Sequence, residues 1–236
     1  MTNDMNRYFN VNNMVIQFSF FKNRIVKKVL FTIKECIFML FFEFYKDKNP
    51  YVFDDKINRT HNRTYYLGYW QSEKYFRAYR DDLLKIITCN NMSPEAMKWI
   101  NKIAGQNSVS LHIRRGDYVQ AGITIDESYY IQAVEQINKL VTNPVFYIFS
   151  DDLDFAEELI QKLNVDNSFF VRYKANNSTV EDMLIMSHCK HNIIANSSFS
   201  WWAAWLNTFD EKKVICPELG MWKGDFYPEE WIKIKL

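Results

Sequence analysis

The chain has 236 residues, 48% of them apolar, with 29 basic and 28 acidic side chains and a formal net charge of +1. This is enough for one large domain or two small ones with a sizeable core, and the near-neutral balance excludes the strong basic excess of a nucleic-acid binder. Cys36, Cys89, Cys189 and Cys216 stand far apart with no CxxC pair, which argues against a zinc site and a secreted disulfide scaffold and reads as free thiols in a reducing compartment.

Residues 1–65 are rich in Asn, Phe and Lys and show no clean period. Residues 29–45 are the most apolar stretch, interrupted by Lys34 and Glu35. Its uninterrupted run Cys36–Phe42 is far short of the roughly 20 residues that span a bilayer. The reading is a buried helix or strand pair, with peripheral membrane contact as the alternative because Lys22, Arg24, Lys27 and Lys28 immediately precede it. From Ser72 to Ile87, Tyr75, Phe76, Tyr79, Leu83 and Ile86 recur at helical spacing. Ser93-Pro94 starts a second helix, with a capping serine and proline at its first position, running to about Ala104. Gly105-Gln106-Asn107 reads as a turn.

Strands and helices then alternate. Strands are expected at Ser108–Ile113, Pro144–Phe149, Phe169–Tyr173, Asn192–Asn196 and Lys213–Cys216. Helices are expected at Glu127–Leu140, Leu153–Leu163, Thr179–Cys189 and Phe199–Asn207. Five strands interleaved with four helices predict a parallel sheet covered on both faces. Such sheets take ligands at the carboxyl ends of their strands. Three polar clusters fall there: His112 to Asp117, Ser150-Asp151-Asp152, and Asn196-Ser197-Ser198.

Arg114 and Arg115 offer permanently charged forks that suit phosphate, and Gly116 lets the backbone turn or approach a ligand. Asp117 can orient an arginine or act as a base. Arg115-Gly116-Asp117 also spells an adhesion tripeptide, which would need an exposed loop tip. His112 lies on the same strand face as Arg114, either as a satisfied core histidine or as a ligand group. Ser150-Asp151-Asp152 reads as a helix cap with ribose contact as the functional alternative. Asn196-Ser197-Ser198 opens a helix whose free N–H groups suit phosphate. Trp201, Trp202 and Trp205 read as core. Asp182 is either an ordinary helix-start acid or an acceptor for the N1–H and N2–H₂ donors of guanine.

Together, His112-Ile113-Arg114-Arg115-Gly116-Asp117-Tyr118, Ser150-Asp151-Asp152 and Asn196-Ser197-Ser198-Phe199-Ser200-Trp201-Trp202-Ala203-Ala204-Trp205-Leu206 resemble the bacterial α-1,2-fucosyltransferases of glycosyltransferase family 11. Gly68-Tyr69-Trp70-Gln71-Ser72 is similar to that family's Gly-Tyr-Phe-Gln-Ser segment. The likeness covers roughly residues 68–236.

The resemblance implies an α/β, GT-B-like fold. Residues 1–105 would form a shortened, mainly helical acceptor-side lobe, and residues 106–236 a Rossmann-like domain binding a GDP-sugar. It implies an inverting, metal-independent transferase with no resident cofactor, cytoplasmic or peripheral at the inner membrane face. L-Fucose would move from GDP-β-L-fucose to O2 of a terminal galactose on a surface glycan. Arg114 would hold the β-phosphate with His112 in support. Arg115, Asn196, Ser197 and Ser198 would line the donor site, Asp151 would meet the ribose, Asp182 the guanine, and Asp117 would serve as base with Glu127 behind it. The family's glycine-rich N-terminal segment is not found; the first glycine is Gly68. The expectation from that difference is a truncated or divergent start, and the competing function is a GDP-fucose-binding module without turnover.

Overall fold

The computed structural model describes residues 43–60, 64–87, 92–173, 178–220, 222 and 224–236. Most of the apolar segment 29–45, the thiols Cys36 and Cys89, and the basic residues ahead of that segment lie outside the described residues.

A short parallel pair, β1 (Glu43–Lys46) and β2 (Thr64–Leu67), comes first. Ser72 then caps a 3-10 turn over Glu73–Tyr75, a second spans Arg77–Tyr79, and α1 covers only Arg80–Ile86. The single helix expected over Ser72–Ile87 is therefore broken. Phe76 sits between the two turns at φ −138°, ψ 0°. Its ring stacks on Trp202 at 5.2 Å and meets Trp205 at 5.1 Å, so tertiary packing overrides the helical period. Helix α2 (Pro94–Ile103) forms as its sequence predicts, with the Ser93 hydroxyl accepting from the Ala96 N–H.

The main sheet has six strands, all parallel: β3 (Ser108–Ile113), β4 (Val145–Ser150), β5 (Ser168–Phe170), β6 (His191–Ile193), β7 (Val214–Glu218) and β8 (Ile232–Lys235), in the order β5-β4-β3-β6-β7-β8. Counted from β3, that is the 3-2-1-4-5-6 order of doubly wound dinucleotide-binding sheets. The expected α/β class with a Rossmann-like parallel sheet is what the chain builds, with one strand more than its periodicity showed. Strand β8 was missed because Ile232-Lys233-Ile234-Lys235 supplies only two apolar positions.

Every residue of β3 is buried, as a central parallel strand requires. Val109, Leu111 and Ile113 join Tyr129, Ala133 and Ile137 of α4 (Glu127–Leu140) and Ala156 and Leu159 of α5 (Leu153–Lys162) in one core. Alternation puts Ser108, Ser110 and His112 on the other face. There Tyr147 and Phe149 of β4 pack with Ala96 and Ile103 of α2, Ile185 and Met186 of α6 (Ser178–His188) and Ala203 of α7 (Ser198–Leu206). Trp201 and Trp205 are buried in a third cluster with Phe226, Tyr227 and Trp231, confirming that they pack the core. Each aromatic of this kind removes about 150–250 Å² from water.

Candidate active site

The order of strands reverses between β3 and β6, so their carboxyl ends open the crevice where a doubly wound sheet binds its ligand. Residues 114–116 leave β3 here and residues 194–198 leave β6. The Ser150-Asp151-Asp152 turn leaves β4 one strand away.

Arg114 and Arg115 point their charges to different partners. The Arg114 guanidinium reaches Asp151 Oδ2 through Nη1 at 2.7 Å and Asp117 Oδ1 through Nη2 at 2.6 Å, and remains one-third exposed. Arg115 donates from its backbone N–H to Asp151 Oδ1 at 2.8 Å and from Nε to Asp152 Oδ2 at 3.0 Å, with its guanidinium 3.8 Å over the Phe155 ring. Arg115 is thus locked against α5, while Arg114 stays at the crevice. Asp152 caps α5 by accepting from the Phe155 N–H, and the Ser150 hydroxyl braces the turn. Gly116 is required by a close approach: a Cβ there would lie 2.6 Å from Asp151 Oδ2.

Gly116 also begins α3 (Gly116–Ala121), a short helix the sequence reading did not anticipate. Gly116 and Asp117 are exposed, contrary to what the apolar strand ahead of them suggests, but Arg115-Gly116-Asp117 opens a helix rather than forming a loop tip, and Arg115 is held by Asp152. Asp117 is largely exposed. Glu127, the reserve base, is held by Lys162 Nζ at 2.9 Å.

His112 is buried, and burial pulls its pKa down to about 4; the Asp151 charge opposes the shift and Arg114 adds to it. The ring is neutral near pH 7, and its Nδ1 has no hydrogen-bond partner. It lies 5.6 Å from Phe199 in the first turn of α7. A buried polar atom left unpaired is costly, so this nitrogen has the capacity to take a partner from outside the chain. Ser197 caps α7, its hydroxyl accepting from the Phe199 N–H at 3.3 Å. The N–H groups of Ser198 and Ser200 start the helix, where intrahelical carbonyls do not reach and the dipole favours anions. Asn196 donates to the Ile123 carbonyl at 2.6 Å, and its Oδ1 is buried without a partner.

Glu181 and Asp182, neighbours in sequence, separate in role. Glu181 is buried and accepts from the Ser93 N–H at 2.7 Å and hydroxyl at 2.8 Å, tying α6 to α2. Asp182 accepts from the Tyr173 hydroxyl at 2.9 Å, just beyond the carboxyl end of β5. Burial lifts its pKa to about 6, with the Glu181 charge adding to the rise.

The structure therefore brings His112, Arg114, Asp117, Asp151, Asn196, Ser197 and Ser198 to one edge, with Asp182 toward β5 and Arg115 turned aside. Sequence reasoning missed Tyr227. It lies in the connection between β7 and β8, packed with Phe226 and Trp231, and its hydroxyl is buried without a partner. No sequence signal marked it: it stands nine residues beyond the end of β7. A cavity of about 890 Å³ opens at the opposite, amino edge, lined in part by Leu84, Ile100, His188 and Phe209; it holds none of these groups. Among the described residues no group of three or more His, Cys, Asp or Glu side chains is placed to hold a metal, and no helix is long and apolar enough to cross a membrane.

A permanent cation already holding two carboxylates, a neutral histidine and a helix start share the carboxyl edge of the sheet, and such groups suit an anionic ligand. The profile of glycosyl transferase family 11 matches residues 13–235, beginning well ahead of Gly68. The chain is 36% identical over 183 residues to an alpha-1,2-colitosyltransferase of Escherichia coli, covering 72% of this chain and 62% of the relative. It is 34% identical over 182 residues to the O-antigen biosynthesis glycosyltransferase WbnK of the same organism, covering 71% and 59%. Against the mouse galactoside 2-alpha-L-fucosyltransferase Sec1 it is 26% identical over 192 residues, covering 68% and 52%. The chain spans about three-fifths of the length of these bacterial relatives.

Proposed function

The chain belongs to glycosyl transferase family 11, and from that premise we propose that it transfers L-fucose from GDP-β-L-fucose to O2 of a terminal galactose during surface glycan synthesis. The observation that carries this reading is the convergence of Arg114, the unpartnered Nδ1 of His112 and the start of α7 at the switch point. The relatives named for alpha-1,2 transfer agree with the linkage.

On this reading the sheet from residue 106 onward holds the donor, and residues 1–105 supply the acceptor side. The guanine meets Asp182, whose ionised carboxylate accepts from N1–H and N2–H₂. The pyrophosphate lies between Arg114 and the Ser198 and Ser200 N–H groups, and His112 completes its own unpaired nitrogen there. Asp151 stays on Nη1 of Arg114, while a phosphate oxygen displaces Asp117 from Nη2. Arrival of the donor thereby releases the carboxylate that the reaction needs.

The acceptor hydroxyl attacks the anomeric carbon from the face opposite the diphosphate. Its oxygen forms the new bond, the bond from the anomeric carbon to the β-phosphate oxygen breaks with its electron pair, and the configuration inverts. The hydroxyl proton passes to Asp117. Negative charge grows on the β-phosphate, where Arg114 and the helix start are already oriented toward it. No metal takes part in this scheme. The buried free thiols Cys189 and Cys216 suit a cytoplasmic location.

Calorimetric titration with GDP tests the assignment. Wild type should bind GDP and prefer it to UDP, and Arg114→Ala should lose GDP binding. GDP affinity unchanged by Arg114→Ala overturns the phosphate site.

A further inference from the structure

The segment Gly68-Tyr69-Trp70-Gln71-Ser72, with Glu73 to Phe76 behind it, takes no part in the transfer scheme, yet its contacts lead to the helix that receives the donor. We propose that Glu73 is a positioning residue: through the indole of Trp205 it fixes α7, and with it the N–H groups at the start of that helix that meet the diphosphate. The inference rests on the nucleotide-sugar reading above and adds to it the residue that aims the anion site.

Glu73 is buried, and a carboxylate leaves water at tolerable cost only where it is paired and hydrogen-bonded. Its Oε2 accepts from Trp205 Nε1 at 3.0 Å and its Oε1 from Arg77 Nη1 at 3.1 Å. An indole N–H can only donate, so buried Trp205 needs such an acceptor. Arg80 grips the same tryptophan. Its Nη1 donates to the Trp205 carbonyl at 2.6 Å, its Nη2 to the Asn207 carbonyl at 3.0 Å, and its guanidinium stands 4.6 Å from the centre of the Trp205 ring. A cation there also suits the negative end of the helix dipole. The indole N–H, ring face and carbonyl of one residue are thus all held from residues 73–80.

The segment is anchored on its other side as well. Lys74 forms an ion pair with Asp225, whose Oδ2 accepts from the Phe53 N–H at 3.0 Å, and the Tyr75 hydroxyl accepts from the Asp54 N–H at 2.9 Å. Residues 73–80 therefore join the part of the chain assigned to the acceptor to the helix assigned to the donor.

Helix geometry carries the effect to the ligand. Trp205 stands seven positions after Ser198, nearly two full turns at about 3.6 residues per turn, so the two share a face of α7. A rotation of about 20° at Trp205 moves a backbone atom at a radius of ~2.3 Å by about 0.8 Å. Binding groups must be held to about 0.5 Å to act together.

The test is calorimetric titration with GDP at a temperature where every protein is folded, alongside the melting temperature of each. Glu73→Leu and Trp205→Phe both break the hydrogen bond while keeping an apolar side chain in place. Each should bind GDP about tenfold more weakly, the weight of one charge-assisted hydrogen bond drawn out of line. The double variant should bind about as weakly as either single one, because both remove the same contact. Glu73→Gln keeps an acceptor for the indole and gives up the charge, and it should restore affinity to within about twofold of wild type. A lowered melting temperature with wild-type GDP affinity in either Glu73→Leu or Trp205→Phe overturns the inference and leaves a purely structural contact. Additive losses in the double variant overturn it too, as does Glu73→Gln binding as weakly as Glu73→Leu. If Glu73→Leu does not fold, Trp205→Phe set against Glu73→Gln decides the question. Failure of wild type to bind GDP at all overturns the nucleotide-sugar reading itself, and this role with it.

Discussion

Lowering the pH from 8 to 5 should weaken GDP-fucose binding by protonating Asp182. Burial places this carboxyl at about 6. The ionised form accepts the two guanine N–H donors, whereas the protonated form turns a donor toward donors. Affinity is therefore nearly full at pH 7 and above and is lost as pH falls through 6. At pH 5 about one molecule in eleven has Asp182 ionised, so Kd rises about tenfold, or roughly 1.4 kcal/mol. GDP-fucose is the ligand to use because its diphosphate is esterified at both ends and does not titrate in this window. His112, at about 4, stays predominantly neutral over this range. Stability of the ligand-free chain carries the opposite sign for this group. A carboxyl raised from 3.8 in the fold contributes stability that is present below 3.8 and lost as pH rises through 6. Weaker binding at pH 5 should therefore not coincide with an Asp182-linked loss of stability. Asp182→Asn should bind weakly, with a flat profile and a reduced preference for GDP over UDP. A wild-type Kd that stays flat from pH 8 to 5, or an equal slope in Asp182→Asn, refutes the assignment.

Gly116→Ala places a methyl group 2.6 Å from Asp151 Oδ2 and should dislodge the carboxylate that holds Arg114 Nη1 and the Arg115 backbone. GDP affinity should fall by about tenfold or more, the loss of one or two charge-assisted hydrogen bonds; an unchanged Kd contradicts the role given to Asp151. Ser93→Ala removes the cap of α2 and a partner of buried Glu181. It should cost about 1–3 kcal/mol in denaturant unfolding with little change in GDP affinity, and a reversed pattern would place Glu181 in the ligand site.

Local signals were sufficient where one requirement acted alone. Ser108–Ile113 and Glu127–Leu140 have the bounds their patterns predict, because a fully buried strand and a long amphipathic helix each write an unambiguous period. The crevice was legible for a related reason: chemistry-bearing residues follow strand ends, and a parallel sheet gathers those ends on one edge. Partner choice was not legible. Residue type and spacing do not separate Arg114 from Arg115 or Glu181 from Asp182; only the family resemblance gave them different roles. Their roles diverge only when Asp152, Phe155, Ser93 and Tyr173 arrive from other elements. The break at Phe76 and the orphan hydroxyl of Tyr227 are likewise set by contacts distant in sequence. Asn196 was read as lining the donor site, but its unpaired Oδ1 appears only once Ile123 has taken its amide nitrogen.

The central claim is transfer itself. Wild-type chain incubated in EDTA with GDP-fucose and galactose-terminated oligosaccharides should yield, by mass spectrometry and linkage analysis, a product carrying fucose on galactose O2 together with free GDP. GDP binding without any fucosylated product would contradict the account and make the chain a donor-binding protein; turnover that appears only when divalent metal is restored would contradict its metal-free chemistry.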